Sequence, residues 1–209
     1  MAVIPLCHQC GTCCRKGGPA LHQEDLELLD RLGLASFVCL RKGEPAHDPR
    51  VDAVRPLSQE VIKIRGKEKG WECLYYDKVV SGCTIYQDRP LECRVLSCKD
   101  SHPLFEAMKR PYLQRKDFIQ QGSALWACIQ SHEQEFPVNN VLPLATRSRQ
   151  EKQHIPKELD QIFRAEIAYR LTLGDYVQAK DEDLWPYLGR PLWLVLAPYD
   201  SRFLEYGKI

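Results

Sequence analysis

Eight of the ten cysteines in this 209-residue protein fall into two groups. Cys7, Cys10, Cys13 and Cys14 form a Cys-x2-Cys-x2-Cys-Cys run, and Cys73, Cys83, Cys93 and Cys98 follow at wider intervals. Cysteines spaced as Cys-x2-Cys in a loop can turn their sulfurs toward one point, which is why that spacing recurs in zinc and iron–sulfur sites. Gly11 lets the backbone bend between ligands, and the loop's N–H groups can donate to thiolates and offset their charge. Adjacent Cα atoms are about 3.8 Å apart, too close for an ordinary disulfide, and neighbouring side chains tend to diverge. Cys13 and Cys14 are therefore expected to point to different places, one joining Cys7 and Cys10 and the other a second site or a core. Eight thiols are the count for two four-cysteine sites, whether tetrahedral zinc, cubane clusters or one of each.

Disulfides would require an oxidising compartment. The N-terminal Met-Ala-Val-Ile-Pro-Leu has no charged leader, long apolar stretch or small-residue cleavage site, so the sequence predicts a cytoplasmic protein whose clustered cysteines bind metal. The 29 basic and 28 acidic side chains leave a formal charge of +1, and the basic residues lie in short dispersed clusters. That pattern argues against nucleic acid as a partner. The apolar run Trp193 to Ala197 is far short of the roughly 20 residues a membrane crossing needs. Dinucleotide and phosphate loops and the Ser nucleophile elbow are absent as motifs. Cys39 and Cys128 sit in apolar surroundings and read as small hydrophobes. His8 lies inside the first motif as a possible replacement ligand. His22, His47, His102, His132 and His154 have no ligand spacing and read as surface residues.

Cys-x2-Cys-Gly-x-Cys-Cys near the N-terminus, Cys73, and then Cys83-Thr-Ile-Tyr-Gln-Asp-Arg-Pro-Leu-Glu-Cys93-Arg together resemble the CxxCxxCC cysteine-cluster family over roughly residues 5–100. The resemblance implies a zinc- or iron-chelating domain, in many relatives an iron–sulfur one, with Cys98 as the eighth cysteine of the pattern. Arg89 and Arg94 flank Cys93. Their guanidinium groups are expected to help neutralise clustered thiolates and to tune a cluster, as cofactor-binding residues.

The wide intervals of the second group demand elements that bring distant residues together. A helix is expected over 23–32 with Gly33 as its stop. An irregular connection is expected over 41–58. Val61, Ile62 and Ile64 read as a strand returning through Trp71 to Tyr76 as a hairpin. Residues 83–86 form a β-like run, and Pro90 opens a short helix. Helices are expected over 104–110 and 112–135, then a linker over 137–156. The clearest helix is 157–173, with Leu159, Ile162, Phe163, Ile167 and Leu171 on its inner face and Gly174 as terminator.

The expected fold class is α+β, a loop-rich cysteine-bearing core with a small β-hairpin wrapped by helices. It divides into a metal-binding domain over 1–136 and a mainly helical extension over 137–209. The function that follows is metal binding, with a 4Fe-4S cluster and an electron-transfer or redox-sensing role. A structural zinc protein presenting an interaction surface to a protein partner is the alternative. A cluster-dependent group transferase, with 137–209 forming its cleft, is a further one, and the sequence leaves open whether the protein is an enzyme.

Overall fold

The computed structural model describes residue 7, residues 9–151 and residues 154–208; His8 lies outside them. Strands are β1 (Phe37–Leu40), β2 (Pro45–Asp48), β3 (Ala53–Pro56), β4 (Val61–Ile64), β5 (Tyr76–Asp77) and β6 (Gly82–Cys83). Helices are α1 (Thr12–Lys16), α2 (Glu27–Leu32), α3 (Leu91–Val95), α4 (His102–Ala107), α5 (Ala124–Glu135), α6 (Val138–Glu151), α7 (Lys157–Val177), α8 (Trp185–Leu188) and α9 (Leu192–Leu196). Strands pair two by two, β1 with β4, β2 with β3 and β5 with β6. With helix, short 3-10 turns included, over 51% of the described residues, the fold is α+β. No described helix is long and apolar enough to cross a membrane.

The chain forms two compact units. One comprises Met1–Val38 with Val61–Phe118, and the other Cys39–Glu60 with Ile119–Ile209. The first is tied by main-chain bonds among three distant segments. Leu21 N–H donates to Ile62 O at 2.8 Å, Ile62 N–H to Leu113 O at 3.1 Å, and Leu113 N–H to Leu21 O at 2.8 Å. All three side chains are fully buried, with Phe37, Val38, Val61 and Ile64 around them. Backbone bonding and apolar burial thus meet at one point, which fixes where the cysteine segments leave the core.

The second unit is built on α7. Its buried positions are Leu159, Phe163, Glu166, Arg170 and Gly174, so the inner face carries charge in its middle. Leu171, expected inside, is 56% exposed. The Glu166 carboxylate accepts from His132 Nε2 and Arg170 Nε, each at 3.1 Å, and from Leu192 N–H at 2.7 Å. Fully buried Arg41 pairs with Glu133 at 2.9 Å and stands 3.9 Å from Glu166. Its Nη2 also donates to Phe136 O at 2.5 Å. Arg170 completes the tie by donating to the carbonyls of Leu188 and Gly189. Buried charge is tolerated when it is paired and hydrogen-bonded, and here the pairing anchors α9, whose five residues are all buried.

Several sequence expectations are corrected. Residues 41–58 contain the β2–β3 hairpin, Pro45 opposite Pro56 and Asp48 opposite Ala53; prolines at its open end do not interrupt it. β4 pairs with β1, and the expected 61–76 hairpin is reduced to a short reversal, the antiparallel bridge of Gly66 with Cys73 flanked by Lys67 N–H to Glu72 O at 2.7 Å and Leu74 N–H to Arg65 O at 3.0 Å. The expected linker 137–156 contains α6, whose buried Val138, Val141, Ala145 and Ser148 recur at helical spacing beneath a polar surface. α7 runs through Gly174 and ends at Val177, because Gln178 takes the left-handed cap position at φ 56°. His22 and His132 are buried, not on the surface. α2 with Gly33 behind it, β4, and α3 after Pro90 lie where the sequence placed them.

Candidate metal centre

The first cysteine segment turns at Gly11, whose φ of +72° is left-handed and whose Cα packs so closely on the Tyr76 ring that a Cβ would overlap it. Glycine is the residue that fits both demands. One turn of helix, α1, follows directly and carries Cys13 and Cys14. Arg15 reaches back to donate to the Tyr76 hydroxyl at 3.0 Å. Cys73 N–H donates to Cys14 O at 2.8 Å, which joins the two sequence groups through their main chains.

The second group is positioned by the small β5–β6 ladder, in which Tyr76 faces Cys83. Asp77 accepts from the N–H groups of Val79 and Val80 and closes the turn between the strands. α3 then presents Cys93. It is held from below by the buried Asp25 carboxylate, which accepts Leu91 N–H at 2.9 Å, and by Glu92, which accepts Ala20 N–H at 2.9 Å. A carboxylate on the first N–H of a helix satisfies a donor that has no partner within it.

These elements surround one open recess of about 510 Å³, mouth included, lined by Cys7, Cys13, Cys83, Cys93 and Cys98 together with Gln9, Gly11, Tyr76, Gly82, Tyr86, Arg89 and Leu96. Cysteines from both sequence groups share this wall, so the two groups along the chain are not two groups in space. Cys10, Cys14 and Cys73 stand outside the lining. Among the described residues, no three His, Cys, Asp or Glu side chains come together closely enough to hold one metal ion; the thiols are arrayed around a space. All ten cysteines are free thiols.

Cys13 is electrostatically central. It acts on Cys10, Cys14, Cys73, Cys83, Cys93 and Cys98. Its own pKa is lowered to about 6, chiefly because the Cys14 thiol donates to it, and Cys14 is raised for the same reason. Cys13 lines the recess and Cys14 does not. Burial, followed by the charges of neighbouring thiolates, raises Cys93 well above its ordinary value, and burial raises Cys73 and Cys83. A set of thiols that resist ionising together is one that a cation would stabilise, because the ion supplies the opposite charge.

Arg89 lines the recess. Its Nε donates to Tyr86 O at 2.7 Å, and its guanidinium carbon stacks 3.7 Å from the Tyr86 ring centre. Its Nη1 is buried with no hydrogen-bond partner. Arg94 is placed differently: its Nη1 donates to Arg89 O at 2.7 Å and its Nη2 lies 3.5 Å from Asp25. It is not among the lining residues and acts on the Arg89 main chain. Gly82, on β6, lines the recess without having been singled out by the sequence. The signal available was the short spacing from Tyr76 to Cys83, which suits a tight two-stranded turn.

Cys39 is fully buried in β1, as a small hydrophobe would be. Cys128 is half-buried in α5. Both belong to the second unit.

The model of the CxxCxxCC family, described as "Putative zinc- or iron-chelating domain", matches residues 6–118, more than half of the 209 residues. No curated protein and no solved structure matches the chain.

Proposed function

The chain belongs to the CxxCxxCC family, and from that premise we propose that its cysteine recess holds an iron–sulfur cluster, 4Fe-4S in type, serving electron transfer or redox sensing. The observation that carries this reading is the recess wall. Among the described residues, five cysteines line it and no carboxylate or imidazole does. Thiolate-only donor sets select zinc and iron–sulfur centres over harder ions. Between these two we favour the cluster, because the described donors are cysteine thiols alone, the ligand set of the common iron–sulfur centres. The donor set therefore fits the group.

The ligands would come from Cys7, Cys10, Cys13, Cys14, Cys73, Cys83, Cys93 and Cys98, with those on the recess wall first. A bound cluster supplies one-electron chemistry at a potential set by charge, hydrogen bonds to sulfur and exposure. The protein's part is to tune it. Arg89 holds an N–H without a partner at the wall, suited to donate to a sulfur. Arg94 fixes the Arg89 backbone, while Tyr76 and Leu96 keep part of the wall dry. A cytoplasmic setting would keep the thiols reduced and available.

Purification without oxygen, followed by iron, zinc and acid-labile sulfide analysis, tests this. Brown protein with iron and sulfide in similar amounts is expected, with broad absorption in the visible blue. Colourless protein carrying zinc and no sulfide would replace the cluster by a structural zinc centre.

A further inference from the structure

We propose that Asp25, which does not line the recess, is a positioning residue for it: Asp25 holds Arg94, Arg94 holds the Arg89 main chain, and the Arg89 guanidinium is thereby set on the wall where it tunes the potential. The proposal rests on the reading of the recess as an iron–sulfur site and adds what fixes its tuning. Asp25 is 1% exposed. Its Oδ2 accepts His22 N–H at 3.1 Å, and its Oδ1 accepts Leu91 N–H at 2.9 Å. The same Oδ1 lies 3.5 Å from Arg94 Nη2, and Arg94 Nη1 donates to Arg89 O at 2.7 Å. One buried carboxylate thus ties the turn at 22–25 to both sides of the segment that carries Arg89 and Cys93.

Neighbouring contacts stiffen that joint. Arg31 on α2 pairs with Asp88, beside Arg89. Glu92 Oε2 accepts Ala20 N–H at 2.9 Å, and its Oε1 stands 3.5 Å from Nε2 of the buried His22. The printed restraints on the Arg89 side chain itself are local, the Tyr86 carbonyl and the Tyr86 ring. Its backbone is what the Asp25–Arg94 pair controls. A guanidinium presents its N–H groups in a fixed plane, so a small turn of that backbone redirects Nη1, the N–H that lacks a partner. An N–H donated to a cluster sulfur stabilises the more negative, reduced state and raises the potential. Loss of Asp25 as a positioning residue therefore lowers the potential. Loss of its negative charge, acting only through space, would raise it. The sign of the shift separates the two.

The test is a redox titration of the anaerobically purified full-length protein, followed by electron paramagnetic resonance, with iron and sulfide measured on each sample. Asp25→Asn keeps the size, leaves one acceptor oxygen for two N–H groups and withdraws the counter-charge of Arg94. It is expected to load iron and sulfide as the parent does and to titrate at a lower potential. Arg94→Lys, at a side chain 46% exposed, keeps the charge but replaces the fork that spans Asp25 and Arg89 O. It should shift the potential the same way and keeps the question open to test if Asp25→Asn does not fold. In an Arg89→Gln background neither change should lower the potential further. Hydrogen exchange over 89–94 should quicken at least tenfold in both variants. A potential unchanged or raised in loaded variants overturns this inference alone, as does unchanged exchange. A parent protein without iron and sulfide overturns the reading of the site, and the positioning role falls with it.

Discussion

The two units handle buried charge in opposite ways. In the second, the buried Glu166 carboxylate sits among Arg170, His132 and Arg41. In the first, the thiols around Cys13 repel one another on ionising, and the recess they line contains one cationic side chain, Arg89. On the function proposed above, the first unit takes its counter-charge from a bound metal. Family membership and geometry meet at this difference: a chelating domain leaves its counter-charge to be supplied, and a structural core does not.

Metal removal should separate the units most strongly. Chelation of the reduced protein is expected to lower amide protection in segments 9–16 and 73–98 by at least about 100-fold, because binding energy at such sites is folding energy. Protection in α5 and α7 should stay within a few-fold. Hydrogen exchange read by mass spectrometry checks this, and equal loss in both units would break the comparison.

Next in size is Glu166→Gln. It leaves Arg170 and Arg41 buried without their shared carboxylate, and breaking such a group costs about 3–5 kcal/mol. Denaturant unfolding followed by the tryptophans at 185 and 193 reports it. The same variant should keep its metal content, since Glu166 belongs to the second unit.

The acid response follows from the same carboxylate. Burial pushes the Glu166 pKa up, but Arg170, His132 and Arg41 outweigh it and leave the pKa lowered from 4.5 to about 2. A folded pKa below the unfolded one gives stability that is full above the unfolded value and lost as the pH falls toward the folded one. The second unit should therefore weaken between roughly pH 5 and pH 2, by about 3 kcal/mol in total. His132 acts in the same direction, because burial lowers its pKa and favours the neutral ring. Glu166→Gln should flatten the acid limb. An unchanged slope in that variant would mean that other carboxylates carry it.

The smallest effect expected is at Gly11. Alanine there must adopt φ +72° and displace the Tyr76 ring, which costs about 1–2 kcal/mol. Because α1 starts at the next residue, metal content should fall along with stability. A thermal shift without loss of metal would show that the close approach serves packing alone.

How much of this was legible in the sequence depends on where each signal resides. The Gly11 turn was readable, because a bend between closely spaced cysteines is a local feature. So were β4 and α3, which carry a local apolar run and a Pro90 start. The grouping of cysteines was not, because three main-chain ties among Leu21, Ile62 and Leu113 decide which segments meet, and no local pattern encodes them. In α7 the periodicity found the helix and the buried Leu159 and Phe163, but it included exposed Leu171 and missed buried Glu166 and Arg170. Glu166 and Arg170 are one helical turn apart, the spacing at which opposite charges on a helix usually pair at the surface. Here they are buried because Arg41, from β1's far end, and His132, from α5, supply the rest of the network.

The central claim is that the first unit is completed by a thiolate-bound metal centre, and X-ray absorption at the iron and zinc edges of anaerobically purified full-length protein tests it most directly. The prediction is an iron edge whose first shell is sulfur alone at about 2.3 Å, with a short iron–iron vector behind it, lost when Cys13 and Cys93 are both replaced by serine. A first shell of oxygen and nitrogen, or metal retained unchanged in that double variant, would contradict it.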